Sequence, residues 1–119
     1  MDIQEVMQQE KFAIVGDTLN PSKYACKIKE KMMAAGYTVY AVGKELASLN
    51  DIEEEIDIID LCIHPVKGLA LLKENRKKVK CVVIQPGAES DEIIAYLNQE
   101  KIEYINGCLL VGLSLYVKK

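Results

Sequence analysis

The chain has no tryptophan, one phenylalanine, one histidine and three prolines among its 119 residues, and its four cysteines form no C-x-x-C pair. Each scarcity argues against something. Without paired cysteines there is no zinc knuckle and no thioredoxin-type motif, and no group of residues has metal-ligand spacing. With His64 as the sole histidine, no Ser-His-Asp or Cys-His order compels a nucleophile. A single arginine, Arg76, a net charge of −3 and the lack of a basic stripe interleaved with aromatics argue against a nucleic-acid surface. The longest apolar stretch, around Cys108 to Tyr116, is far too short to span a bilayer. No cationic leader with an apolar core and cleavage site opens the chain, so export is not expected. Scattered cysteines then read as thiols of a reduced, cytoplasmic protein, with Cys62 and Cys81 as small buried hydrophobes inside apolar runs.

Half of the residues are apolar and over a quarter are charged, the usage of a single soluble domain with one core, here taken as residues 1–119. Ile3, Val6 and Met7 sit at helical spacing and predict a short helix within 2–10. The apolar run Phe12–Val15 predicts the first strand. A helix follows from about Ser22 to Ala35, with Tyr24, Ile28, Met32 and Ala35 facing inward and Gly36 closing it. Tyr37–Val42 is rich in β-branched and aromatic residues and predicts the second strand. Residues 45–50 read as an edge segment or loop, and Asn50 or Asp51 as the cap of a short acidic turn. Ile56–Ile63 predicts the third strand, with Asp57 at its solvent end and Asp60 half-buried and in need of a partner. The pattern then predicts a helix over Val66–Lys77 with Val66, Leu69, Ala70 and Leu72 inward, a strand over Lys80–Gln85, and a helix capped by Ser90. A fifth strand over Ile102–Ile105 and a final apolar segment or helix, Cys108–Lys119, complete the series. Strands recurring every 20–25 residues with helices between them predict an α/β, doubly wound (Rossmann-like) five-stranded sheet, mostly parallel, with helices on both faces.

In such a fold the ligand crevice lies beyond the carboxyl ends of the strands. Four polar or glycine-bearing segments would meet there: Gly16–Lys23, Gly43-Lys44, His64-Pro65 and Gln85-Pro86-Gly87. The first, within KFAIVGDTLNPSK, has the order strand, turn, helix N-terminus that suits an anion, because the first helical N–H groups lack intrahelical partners. The same stretch is also compatible with an ordinary βα connection leading to a capped helix. His64 reads as a pocket-lining residue, since an acid/base role needs a partner that the sequence does not supply. Cys108 and, less directly, Cys26 are thiols whose reactivity depends on exposure and a lowered pKa.

The segments AIVGDTLNPSKYACKI, MMAAGYTVYAVGKE, SLNDIEEEIDIIDLCIHP, VVIQPGAESDEIIAYL and INGCLLV occur in this order over about residues 11–112. On these the chain resembles the small single-domain CoA-binding proteins, whose fold also occurs in the α subunit of succinyl-CoA synthetase. It departs from their pattern where Gly16-Asp17-Thr18 replaces Gly-x-Ser and where Val42-Gly43-Lys44 replaces a Val-Asn-Pro-like turn. The resemblance implies that Gly16, Asp17, Thr18, Asn20, Pro21 and Lys23 border a CoA pyrophosphate. Val42, Gly43 and Lys44 would lie by the adenosine and its 3′-phosphate, His64 and Pro65 by adenine and ribose, and Gln85, Pro86 and Gly87 along the pantetheine path. Cys108 matches a cysteine position of the family and could meet the ligand thiol. Only Gly16 of a G-x-G-x-x-G fingerprint is present, which weakens an NAD reading. The expectation is therefore a CoA- or acyl-CoA-binding module with no catalytic residue of its own. The alternative is an NAD- or other nucleotide-binding sensor or enzyme using Cys108 or His64. The apolar tail, Cys108–Val117, could be core or the interface of a homodimer.

Overall fold

A computed structural model describes residues 1–116 and shows five strands, all parallel, in the order β2-β1-β3-β4-β5. The strands are β1 (Lys11–Gly16), β2 (Thr38–Gly43), β3 (Ile58–Cys62), β4 (Cys81–Ile84) and β5 (Tyr104–Asn106). Between and around them run α1 (Ile3–Val6), α2 (Tyr24–Ala34), α3 (Pro65–Glu74), α4 (Asp91–Gln99) and α5 (Leu109–Leu115), with a 3₁₀ turn at Leu49–Asp51. The expected doubly wound α/β architecture is thus observed, with every strand pair parallel. Val117 and the two lysines after it, part of the expected C-terminal segment, lie outside the described residues.

Because successive strand side chains point to opposite faces, each central strand feeds two cores. Ala13, Val15, Ile59, Leu61, Val82 and Ile84 pack with Leu72 of α3 and Ile93 and Leu97 of α4. On the other face Phe12, Ile14, Ile58 and Val83 pack with Ile28 and Met32 of α2, with Val6 and Met7, and with Leu109 of α5. The close approach of α1 and α5 depends on Gly112, where a Cβ would come within 2.7 Å of Met7 Sδ.

Several boundaries differ from the sequence pattern, and at β3, α2 and α3 a side chain captures the backbone. β3 begins at Ile58, not Ile56, since Asp57 turns to accept from the Glu10 and Lys11 amides at 3.2 and 3.0 Å. Lys80 Nζ sits 3.4 Å from the same carboxylate. Although partial burial acts against it, these contacts hold the Asp57 carboxyl below its usual range. Stability from this group is therefore present above the ordinary Asp pKa and lost as pH falls through the lowered native value. Asp57→Ala is expected to destabilise by about 1–2 kcal/mol, checked by urea unfolding, with the deficit shrinking below about pH 4. An undiminished deficit at low pH would show that the carboxylate is not its source.

α2 begins at Tyr24 rather than Ser22, because Asn20 Oδ1 accepts from both the amide and the hydroxyl of Ser22. Tyr24, expected inward, is 64% exposed, with the Lys27 ammonium 5.4 Å from its ring centroid. α3 ends at Glu74, short of Lys77, where Asn75 turns to extended φ/ψ and exchanges hydrogen bonds with the Lys77 backbone. Gly68 and Leu72 are buried and Leu69 packs against the core as expected, whereas Val66 is 72% exposed and Ala70 is also exposed. The cap expected at Asn50 or Asp51 is Ser48, which Asp51 reciprocates, and residues 53–55 form no helical turn. β5 lies two residues later than its apolar run, at Tyr104–Asn106.

Candidate CoA site

Strand order turns at β1, since the chain leaves β1 through α2 to β2 on one side, while β3 lies on its other side and is followed by α3 on the opposite face of the sheet. In open α/β sheets such a switch point is where ligands lie. β1 ends there at Gly16, in register with Gly43 of β2 and Cys62 of β3. The three strand ends are packed too closely for a side chain at Gly16: a Cβ would sit 2.2 Å from the Cys62 carbonyl oxygen and 2.9 Å from Ala25 Cβ. Gly43 faces the same limit, 2.8 Å from the Gly16 carbonyl oxygen.

Two cavities open on this edge. One, of about 360 Å³, is lined by Asp17, Lys23, Tyr24, Cys62, His64, Lys67 and the Pro86–Ala88 turn among others. The second, of about 470 Å³, is lined by Gly16, Asp17, Gly43, Lys44, Ala47, Ile63, Lys67 and residues of α3. Asp17, Ile63 and Lys67 belong to both, so together they make one trough across the ends of β2, β1, β3 and β4. Three lysines, Lys23, Lys44 and Lys67, stand along it. A further cavity of about 460 Å³, lined by Arg76, Lys77, Lys78, Lys80 and Lys101 among others, lies at the opposite, amino edge of the sheet.

The decisive local feature is the start of α2. Other helices have their first amides taken: by Asp2 in α1, His64 Nδ1 in α3 at 3.2 Å, Ser90 in α4, and Gln85 Oε1 at Leu109 of α5 at 2.9 Å. α2 is led by Lys23, whose side chain makes no capping bond. Its first intrahelical bond runs from Lys27 N to Lys23 O, so the amides of Tyr24, Ala25 and Cys26 have no partner among the described residues. They carry the positive end of an eleven-residue helix.

The loop before α2 is rigidified by its own side chains. Asp17 Oδ1 accepts from the Leu19 and Asn20 amides, both at 3.2 Å, which gives that carboxylate a structural task beside the cations. Thr18 is buried and its hydroxyl donates to Glu45 Oε2 at 2.7 Å, where Lys29 also binds at 2.7 Å. Lys29 first and then Thr18 hold the Glu45 carboxyl below its usual range. The loop after β2 is thereby tied to the loop after β1.

Of the residues singled out in the sequence, Gly16, Asp17, Lys23, Gly43, Lys44, His64, Pro86 and Gly87 line the trough. Asn20 and Pro21 are exposed just outside it, Val42 is buried in the core, and Pro65 opens α3. Gln85 is buried and pins α5, and half-exposed Cys108 precedes that helix. Cys26 is buried, with its thiol 3.9 Å from Glu30 and pushed up by burial. Lys67, Tyr24 and Glu45 do not stand out in the sequence as site residues. Lys67 had one available signal, its place in the first turn after His64-Pro65.

Residues 10–114 match the family described as CoA binding domain. The chain belongs to that family. Membership supports CoA as the ligand of this CoA-binding domain. No curated protein matches. Among solved structures, a conserved hypothetical protein from Pyrococcus furiosus is 29% identical, with a TM-score of 0.77 over 87% of this chain and 98% of its own. A hypothetical protein from Pyrococcus horikoshii OT3 is 21% identical with a TM-score of 0.88, covering 98% of this chain and 90% of its own. A protein from Thermus thermophilus is 24% identical with a TM-score of 0.74, covering 96% and 98% respectively. These likenesses show the same fold filling nearly the whole of each of those chains. Among the described residues no helix is long and apolar enough to cross a membrane.

Proposed function

We propose that this CoA-binding domain holds CoA with its pyrophosphate against the uncapped start of α2 and its 3′-phosphate near Lys44. The observation that carries this reading is the set of unpartnered amides at Tyr24, Ala25 and Cys26, opening at the switch point beside Lys23. An anion there gains hydrogen bonds and the helix dipole together. Lys67, common to both parts of the trough, stands between the two anionic ends. The Gln85–Gly87 turn borders the way out for the pantetheine arm. The reading is of a binding module, in which residues orient the ligand rather than transform it.

Titration calorimetry with CoA, dephospho-CoA, acetyl-CoA and NAD tests it. Lys23→Ala removes a cation without removing a cap, and is expected to weaken CoA about tenfold while leaving the unliganded melting temperature unchanged. Lys44→Ala is expected to erase most of the preference for CoA over dephospho-CoA. Heat with NAD and none with CoA, or equal CoA affinity in Lys23→Ala, would overturn the assignment.

A further inference from the structure

The sheet is open at both edges. At the carboxyl edge the trough leaves Cys62, expected as a buried hydrophobe, half-exposed beside Lys23 and Lys67. At the amino edge lies the cavity of about 460 Å³, close in size to the larger part of the trough and sharing no lining residue with it. This cavity reaches between α3 and α4 down to the sheet. Ile59 of β3, Val82 of β4 and Leu72 of α3, all buried, line it together with Val79, Tyr96 and Ile102. The Tyr96 hydroxyl donates to the Leu72 carbonyl at 3.3 Å and braces one helix against the other.

Over this apolar floor the rim is basic. Arg76, Lys77, Lys78, Lys80 and Lys101 all line the cavity, in a chain whose net charge is −3. Lys80 is engaged by Asp57 and by Gln9 Oε1 at 3.0 Å, and the rim carboxylate of Glu103 by the N-terminal ammonium. The other four cations have neither an ion pair nor a side-chain hydrogen bond among the described residues, and Glu100 is the one carboxylate left beside them. Cations are favourable at helix C-termini, and α3 and α4 both end here. The carbonyls at those ends, however, are met by other groups. Leu72 O accepts from Asn75 N and Tyr96, Glu74 O from Asn50 Nδ2, and the Tyr96, Leu97 and Asn98 carbonyls from the amides of residues 100–102. The turn into β4 is likewise set without the cations, by Asn50 Oδ1 on the Arg76 amide at 2.9 Å and by Asn75 on the Lys77 backbone. Lys101 is even held under strain. Its φ of +57° makes it the one non-glycine residue with a left-handed backbone among those described, at the close of α4 where glycine is the usual choice.

We propose that the amino-edge cavity is a second ligand site, which takes a small organic anion with an apolar body: a carboxylate or phosphate head at Arg76, Lys78 and Lys101, and a ring or chain against Ile59, Leu72 and Val82. The guanidinium of Arg76 presents a planar fork that matches either head, and the two lysines add charge from the ends of different helices. Each half of the lining selects against a simpler ligand. A bare inorganic anion would leave the apolar floor in water, and a neutral apolar molecule would leave the four cations without a counter-charge. The volume lies in the range that small ligands occupy. A nucleic acid needs a basic stripe with free aromatic faces, and the one aromatic here, Tyr96, is an internal brace. The site stands independently of the CoA reading, being built from separate residues at the opposite edge.

The test is an NMR titration of the full chain with octanoate, 2-naphthoate, 1-octanol and inorganic phosphate. At least one of the two acids is expected to saturate with a Kd below about 1 mM, moving the amide signals of residues 76–79 and 101–103 and leaving those of Gly16 and Tyr24 in place. Octanol and phosphate, each offering half of the ligand, are expected to bind at least about tenfold more weakly than that acid. Tighter binding of octanoate would identify the body as a chain, and tighter binding of 2-naphthoate as a flat ring. Arg76→Gln is expected to weaken the acid about tenfold. Lys101→Gly is expected to melt about 3 °C higher, its strain relieved, and yet to bind about threefold more weakly. A merely structural lysine would give the first change without the second. Lys23→Ala is expected to bind the acid as the wild type does. No saturable response to either acid by about 1 mM, phosphate binding as tightly as the acids, or wild-type affinity in Arg76→Gln would each overturn the proposal.

Discussion

Gly16→Ala is expected to destabilise the protein by on the order of 4 kcal/mol and to abolish CoA binding in whatever fraction remains folded. The residue closes β1 where three elements converge. Its added methyl would lie 2.2 Å from the Cys62 carbonyl oxygen, and the backbone of a central strand cannot move aside as a flexible side chain would. Ala25 Cβ at 2.9 Å blocks the other direction, and the φ of +156° is one that L side chains rarely adopt. Relief requires separating β1 from β3 or lifting α2 away from the sheet. Either change moves the Tyr24–Cys26 amides out of the trough. Small domains have only about 5–15 kcal/mol in all, so urea unfolding would show a lower midpoint and calorimetry would show no CoA heat. A variant with wild-type midpoint and affinity would mean that the strand ends are not as close as described. Gly36, with a similarly positive φ but nothing within 4 Å of an added methyl, is a useful contrast, since only local strain opposes substitution there.

Asp60→Val should act in the opposite direction, stabilising by about 3 kcal/mol near pH 8. A buried carboxyl without a hydrogen bond loses its hydration and receives nothing in exchange, whereas valine suits a parallel strand buried on both faces. Burial raises the Asp60 pKa well above its usual value. Between the ordinary carboxylate pKa, about 4, and that raised native value, the native state keeps a proton that the unfolded chain has released. The wild type is accordingly at its best below about pH 4 with respect to this group and loses up to about 1.4 kcal/mol per pH unit as pH rises through the window. The groups that share this face are Cys62 on the same strand, Cys81 on β4 and Cys26 on α2, with Tyr37 bonded to the Met7 carbonyl at 2.6 Å. None is a cation that would hold a charged Asp60. Urea unfolding of both proteins from pH 6 to 9 should show a gap that widens with pH. A constant gap, or a less stable valine variant, would contradict the assignment of an unpartnered acid.

The alternation of strands and helices was legible because strands of a parallel sheet are short apolar runs, and Phe12–Val15, Cys81–Ile84 and, broken only by Asp60, Ile58–Leu61 stand out between turn residues. Glycine and proline marked the ends, since Gly16, Gly43 and Pro86-Gly87 do fall at the carboxyl edge. Features that depend on partners distant in sequence were not legible. Thr18 has its hydroxyl turned to Glu45, and Asp57 reaches back to the start of β1, contacts that no local pattern encodes. Helix phase was another loss: Val66 faces outward and Lys67 lines the trough. Asp60 was recognised as needing a partner, and the structure answers that it has none among the described residues.

The contact between α1 and α5 has a bearing on the order in which the chain comes together. Met7 seats against Gly112, so α1, made well before α5, must wait for it before its docking site is complete. Until then Val6 and Met7 are left partly uncovered against the sheet, and closing that seam requires a loop that encloses all five strands.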